Sequence, residues 1–459
     1  MISFENVSKR SIRYTLLYHY VRFVHNYIYY RHYYVLHKER IPKGVPVVAI
    51  SNHQNGLSDA LGILFAFSED GRYPVFIARA DIFRKEFVAK LLRFIRIMPA
   101  FRAVDVGKDN LGDNDAIFDR SARVLTENGV VALFPEAGHQ DCHHLGTFKK
   151  GFARIAFRAA QMLDFKKPIY IMPMSNHYSD YFTVRHKLII TCGEPFTFED
   201  LYDLYLQHPQ RAQKILADRA RVKVQAMMLD IKDLNYYEEY DIIRTIGGKE
   251  LVRKERKEVS YFPNLMDADR RVVEAIDNLR DTAPDQFDRL MKTAHTYFRL
   301  LEKLHLDDWI FEQKLSWGGF LGRCLLAVLL LPFIVFGFIN NFIPFNASTL
   351  VTRHIKDQML HSSFHFGIWA LISFPLWYMI TFFVVWFVVG IWWIALLYVA
   401  LLPISLVIYI HSKIIVKKQF NRMRRFRFAF RGDRFYRQAI AMRREISEAV
   451  RQLLTSQQQ

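Results

Sequence analysis

Residues 366–410 contain no Asp, Glu, Lys or Arg, and this 45-residue stretch limits the folds open to the chain more than any other feature. About 20 apolar residues cross a bilayer as a helix, so the stretch holds two helices with a tight reversal near Gly390. Backbone placed in hydrocarbon must satisfy its own hydrogen bonds, which makes the helix the expected element. A second apolar run, residues 324–339, is shorter, contains Pro332 and is followed by Asn340 and Asn341. It reads as a re-entrant segment or half of a bent hairpin. Two spans plus a re-entrant segment, or four spans, fit the charge pattern better than three, which would carry the basic C-terminus to the far side.

Charge supports a lipid setting. The 459 residues carry a formal net charge of +18, and residues 413–444 hold twelve Lys or Arg against the single acid Asp433. A basic segment directly after an apolar run belongs on the cytoplasmic face, where anionic headgroups attract it by about 1 kcal/mol per basic residue. Phe420, Phe426, Phe428, Phe430 and Tyr436 are interleaved with those charges and could stack bases. Adjacency to the apolar run favours lipid as the partner, and no nucleic acid is expected. Cys142, Cys192 and Cys324 are widely spaced and odd in number, which argues for a reducing compartment rather than a disulfide framework. Residues 1–5 lack the charged start and apolar core of a signal peptide.

Residues 8–40 mix Lys and Arg with rings, among them Tyr14, Tyr18, Tyr20, Phe23, Tyr27 and Tyr33. Rings with a polar tip favour the boundary between lipid and water, so an interfacial helix is one reading. A helix packed on a protein core explains the pattern as well. From residue 45 to about 200, short apolar runs alternate with amphipathic stretches. The predicted strands are 45–50, 74–78, 96–101, 130–134, 169–174 and 187–192; the predicted helices include 85–94, 115–127 and 151–162. Such alternation predicts an α/β domain with helices over a mixed sheet, and chemistry in the loops that leave the strands. Beyond residue 235 the period lengthens. Val272, Ile276 and Leu279 share a helical face, and Phe287, Leu290, Met291, Ala294, Phe298 and Leu301 share another, which predicts a helical linker. The domain expectation is therefore an interfacial N-terminal helix (1–40), a catalytic domain (41–235), a helical linker (236–315), membrane segments (316–412) and a basic cytoplasmic tail (413–459).

Four blocks fall at predicted strand ends. The first runs from Asn52 and His53 to Asp59. A neutral imidazole can take a proton from a hydroxyl at pH 7, and a carboxylate can fix its tautomer and stabilise the imidazolium. Six helical steps turn through about 240°, so the two side chains meet only if the chain bends. Gly56 supplies that freedom, and Ser58 or Asp59 could cap a following helix. The second block, Met98-Pro-Ala-Phe-Arg102, delivers an arginine. The third, Val131-Ala-Leu-Phe-Pro-Glu136-Ala-Gly138-His139, ends in a turn with a carboxylate and a histidine. The fourth is Ile169-Tyr-Ile-Met-Pro173-Met-Ser175. His139, Cys142, His143 and His144 cluster but lack a familiar zinc-ligand spacing, so no metal is expected.

The order of these blocks resembles the glycerolipid acyltransferase family over roughly residues 40–200. The family's first block is His, four residues, Asp, and its third is Phe-Pro-Glu-Gly-Thr-Arg. Phe148-Lys149-Lys150-Gly151 and Gly193-Glu194-Pro195 are similar to its later Phe-Lys-x-Gly and Gly-x-Pro. Two departures stand out. Five residues separate His53 from Asp59, an extra residue that Gly56 is expected to absorb, and Ala137-Gly138-His139 replaces Gly-Thr-Arg, removing an always-charged fork.

The resemblance implies His53 as general base and Asp59 as its orienting acid. It also implies substrate contacts from Arg102 (headgroup phosphate), Glu136 (acceptor hydroxyls), Gly138, His139, Lys149 and Pro173, with Lys150 a further cation. Oxyanion donors would come from amides near Gly138 or at the helix start after Asp59. It implies an integral membrane O-acyltransferase of phospholipid biosynthesis, its catalytic domain on the cytoplasmic face. The acyl group would pass from acyl-CoA or acyl carrier protein to a lysophospholipid, most plainly 1-acylglycerol-3-phosphate, without a resident cofactor. Glycerol-3-phosphate or an amino-acid lysolipid as acceptor, and a non-catalytic membrane scaffold, stay open as alternatives.

Overall fold

The computed structural model describes residues 11–69, 71–83, 85–100, 112–136, 138, 142–353 and 358–456. The chain folds as two units, residues 1–228 with 355–363, and residues 229–354 with 364–459.

Among the described residues the first unit has seven strands: β1 (His32–Leu36), β2 (Val47–Ser51), β3 (Val75–Arg79), β4 (Ile97–Ala100), β5 (Val130–Leu133), β6 (Tyr170–Tyr178) and β7 (Lys187–Cys192). They lie in the order β1-β7-β6-β2-β5-β3-β4. All neighbouring pairs are parallel except β6 with β7. The six predicted strands are all present. Val47, Val48, Ala49 and Ile50 are completely buried, as expected for a parallel strand covered on both faces. Helices α1 (Ile12–Phe23), α2 (Gly56–Ala66), α3 (Glu86–Phe94), α4 (Gly112–Thr126) and α5 (Gly151–Met162) surround the sheet segments in chain order. One core gathers Val48, Ile50, Val131 and Ile171 from the sheet with Phe152, Ala156 and Phe157 from α5. The α5 bounds match the sequence expectation.

The N-terminal segment corrects the proposed boundary at residue 40. Residues 32–36 are not interfacial helix but the sheet strand β1, paired in parallel with β7 from His32↔Lys187 to Leu36↔Thr191. The ring-rich sequence conceals it because His32, Tyr33 and Tyr34 show no clean apolar alternation. Both readings of the preceding helix find support in α1. Tyr14 and Tyr18 are buried with Phe65, whereas Ile12, Leu16 and Phe23 are exposed. The unit also ends at residue 228 rather than 235.

The second unit joins what the sequence divides into linker and tail. Helices α6 (Tyr237–Lys254), α7 (Phe262–Thr282), α8 (Pro284–Leu304) and α9 (Arg434–Ser456) share one core. Tyr436, Ala439, Ile446, Val450 and Leu454 of α9 are buried in it beside Ile243, Ile276 and Leu301. Residues 434–456 are therefore the closing helix of a bundle and not a free basic tail. Their positive face hides an apolar stripe at helical spacing. Gly247 and Gly248 allow this close packing: a Cβ at Gly247 would lie 2.5 Å from Val450, and one at Gly248 would overlap the Asp269 carboxylate.

Among the described residues three helices are long and apolar enough to cross a membrane: Leu331–Leu350, Ser363–Val389 and Trp392–Phe430. Gly390, with φ +75°, makes the reversal expected between the last two. The shorter run breaks at Leu330 into α10 (Trp317–Leu329) and α11 (Leu331–Thr352). At 1.5 Å per residue, the 13 residues of α10 fall short of a hydrocarbon core of about 30 Å. The last apolar helix, α12 (Trp392–Phe430), runs unbroken into the basic sequence.

Candidate active site

Three parallel strands, β6, β2 and β5, bring the candidate residues together at their carboxyl ends. Ile50 pairs with Leu133 of β5 and with Pro173 of β6, so Asn52 and His53 leave the sheet beside Phe134 to Glu136. This is where open α/β sheets place their chemistry. Asn52 is locked at this point: its side-chain oxygen accepts from the Asn176 amide at 2.7 Å, and its Nδ2 donates to the Asn176 carbonyl at 3.0 Å.

The chain then turns into α2. Gly56, at φ +45°, opens the helix and accommodates the extra residue between His53 and Asp59. Helix α2 begins earlier than expected, so Ser58 and Asp59 lie inside its first turn and Asn55 holds the cap position. Asp59 is completely buried and accepts four hydrogen bonds. Its Oδ2 receives His53 Nδ1 at 2.8 Å, the Gln54 amide at 2.8 Å and the Asn55 amide at 2.7 Å, and its Oδ1 receives the Tyr178 hydroxyl at 2.6 Å. Phe134 stacks flat on the His53 ring, with centroids 4.2 Å apart and planes within 9°.

Glu136 holds the entrance of this turn. Its Oε1 accepts from the His53 amide at 2.8 Å and its Oε2 from the Gly146 amide at 2.7 Å. Burial pushes its carboxyl above the usual range, against the pull of the two amides and of His53. The residue expected to bind acceptor hydroxyls is thus bound by the backbone of its own loops. It brackets the histidine turn against the segment leading to α5.

The remaining expected residues separate. Pro173 is buried within β6, which runs five residues further to Tyr178. It lies in the core and not at a strand end, and the Gly193 amide donates to its carbonyl at 2.8 Å. Lys149 has an exposed side chain, and its amide donates to the Pro135 carbonyl at 2.8 Å. Lys150 donates to Gln210 at 2.7 Å. Gly138 is exposed. Arg102 and His139 lie outside the described residues. Among the described residues no group of three His, Cys, Asp or Glu side chains could hold a metal ion. His143 stacks on His177, centroids 5.1 Å apart, and is joined by the Tyr181 hydroxyl at 3.0 Å.

Sequence reasoning misses Tyr178. Its only signal is a tyrosine a few residues beyond the fourth block, and only β6 continuing past Pro173 brings it to Asp59. Burial and the Asp59 charge hold its phenol far above the ordinary tyrosine range, so it stays a donor. Tyr178→Phe should leave the fold intact with about 1–2 kcal/mol less stability. It should also slow acyl transfer roughly tenfold by loosening the carboxylate that aims His53. Thermal denaturation and initial rates together check this.

A carboxylate-oriented imidazole at the carboxyl end of a central parallel strand is an arrangement that can carry out general-base chemistry. The Acyltransferase family model matches residues 32–176, from β1 into β6. This part of the chain is similar to the acyltransferase family, which supports an O-acyltransferase enzyme. Among solved structures, the crystal structure of the 1-acyl-sn-glycerophosphate (LPA) acyltransferase PlsC from Thermotoga maritima is similar at 16% sequence identity with a TM-score of 0.31. The match covers 46% of this chain and 80% of that one. No curated protein matches the chain.

Proposed function

We propose that the protein moves a fatty acyl group from a thioester, acyl-CoA or acyl carrier protein, to the free hydroxyl of a lysophospholipid at the cytoplasmic face of a membrane. The most favoured acceptor is 1-acylglycerol-3-phosphate. The observation that carries the reading is the 2.8 Å hydrogen bond between His53 Nδ1 and a fully buried Asp59. With Nδ1 donating to Asp59, Nε2 is the ring nitrogen that takes the acceptor's proton. The acceptor oxygen attacks the thioester carbonyl carbon, the C–S bond breaks, and the departing sulfur takes the proton from the imidazolium. An ester and a thiol result, and atoms balance with no covalent enzyme intermediate.

Most amides at the helix start are committed elsewhere: Gln54 and Asn55 to Asp59, Leu57 to the Ser363 hydroxyl and Ser58 to the Asn55 carbonyl. That leaves the amides of Gly56 and of exposed Gly138 as the oxyanion donors of this reading. The three long apolar helices and the exposed Ile12, Leu16 and Phe23 support a lipid acceptor over a soluble one. Separation of His53 from Asp59 would have favoured the scaffold alternative, and their hydrogen bond supports the catalytic reading instead.

The test is to incubate the purified chain in lipid with a panel of acceptors and both thioester carriers, identifying products by mass. Esterified 1-acylglycerol-3-phosphate should form fastest. Preference for glycerol-3-phosphate or an amino-acid lysolipid would overturn the acceptor, and absence of any ester would overturn the reading.

A further inference from the structure

Arg323 is the only charged residue among the 36 residues from Trp317 to Thr352. It stands seven residues into α10, whose side chains are otherwise apolar or small. An arginine so placed is costly unless it reaches a partner or the interface, and it marks a functional position by default. Here it converges on other cations. Arg323, Lys314, Arg422 and Arg425 line one cavity together with Phe320 and Phe426, and no carboxylate among the described residues lines it.

The partners of these cations are neutral wherever the structure shows them. Arg425 donates to the carbonyls of Ile310 at 2.6 Å and Gln313 at 2.7 Å. Arg422 donates to the Gln313 side chain at 3.2 Å and to that of Gln419 at 2.8 Å. The acids of the neighbouring turn are engaged elsewhere. Glu312 takes Lys249 and Arg253, Asp308 takes Arg443, and Asp307 accepts from Asn421 and the Trp309 indole. Four like charges around one cavity repel unless an anion joins them. The rings complete a second requirement: Phe426 packs on Phe320 and on Trp317, with centroids 5.4 and 4.4 Å apart, giving the cavity an apolar wall.

From this we infer that the cleft between the start of α10 and the basic stretch of α12 binds the phosphate of an anionic phospholipid. Arg323, Lys314 and Arg422 clamp the phosphate, and Phe320 and Phe426 border the acyl chains. The site shares no residue with the His53 turn and stands whether or not the acceptor assignment holds. Guanidinium groups suit phosphate because they donate in pairs. An apolar wall selects a lipid phosphate over free phosphate.

The test uses the full chain in neutral detergent, where single lipid molecules bind without a charged surface. Retained dioleoylphosphatidylglycerol and dioleoylphosphatidylcholine are counted by native mass spectrometry. Arg323→Gln is the informative variant, because this exposed side chain has no hydrogen-bond or ion-pair partner among the described residues. Arg427→Gln, an exposed cation that does not line the cavity, removes the same charge elsewhere.

The wild type should retain phosphatidylglycerol over phosphatidylcholine. Arg323→Gln should weaken that retention roughly tenfold, and Arg427→Gln should leave it within about twofold. Equal retention of the two lipids by the wild type, or equal losses in the two variants, would overturn the site in favour of diffuse attraction. Displacement by millimolar inorganic phosphate would overturn the lipid assignment.

Discussion

Replacing His53 by Ala should lower acyl transfer by about 10²- to 10⁴-fold, the range a positioned general base supplies, while leaving the fold unchanged. The ring is not needed for packing in the way its neighbours are. Among its contacts are the Asp59 bond and the stack on Phe134, and the backbone turn is held independently by Glu136 through the His53 amide. The turn should therefore persist without the imidazole. Initial rates with a labelled thioester, beside a circular dichroism melt, separate lost chemistry from lost structure. Turnover within about tenfold of wild type would exclude His53 as the base.

Asp59 should answer differently to its two simplest substitutions. Asp59→Asn keeps the shape and one strong acceptor, so the amide oxygen can still receive His53 and the Gln54 and Asn55 amides while the Tyr178 hydroxyl turns to accept. What disappears is the negative charge facing the imidazolium. Acyl transfer should fall by about 10²- to 10⁴-fold with only about 1–2 kcal/mol of stability lost. Asp59→Ala instead strands two buried amides, a buried phenol and the ring nitrogen. At about 1–3 kcal/mol for each unsatisfied buried group, with partial relaxation, the cost is roughly 3–5 kcal/mol, and the chain should unfold markedly earlier on heating. If the two variants melt alike, the carboxylate is not the anchor of the α2 turn.

The parts of this site legible in the sequence are those carried by local chemistry. His53, Asp59 and Glu136 stand out because polar residues directly after buried strands have few reasons to be there except loops and catalysis. Gly56 stands out because a histidine and an acid six residues apart need a bend, and its φ of +45° supplies one. What the sequence conceals is set by tertiary pairing. β1 hides in a ring-rich stretch whose strand character appears only beside β7. Tyr178 reaches Asp59 because β6 exchanges its pairing partly onto β7 and runs past Pro173, which no period in the sequence announces. Glu136 reads as a substrate contact because a glutamate after a proline shows its charge and not its partners; the His53 and Gly146 amides come from segments 83 and 10 residues away. The basic C-terminal helix reads as a tail because its charges outnumber the apolar stripe by which it enters the bundle.

The most direct measurement of the central claim follows free thiol and ester together when the purified chain in lipid vesicles meets acyl-CoA with or without 1-acylglycerol-3-phosphate. General-base transfer through His53 predicts thiol released mole for mole with new ester, only when acceptor is present, and neither in the His53→Ala protein. Thiol release without acceptor at a comparable rate, or ester formation that survives loss of the imidazole, would contradict it.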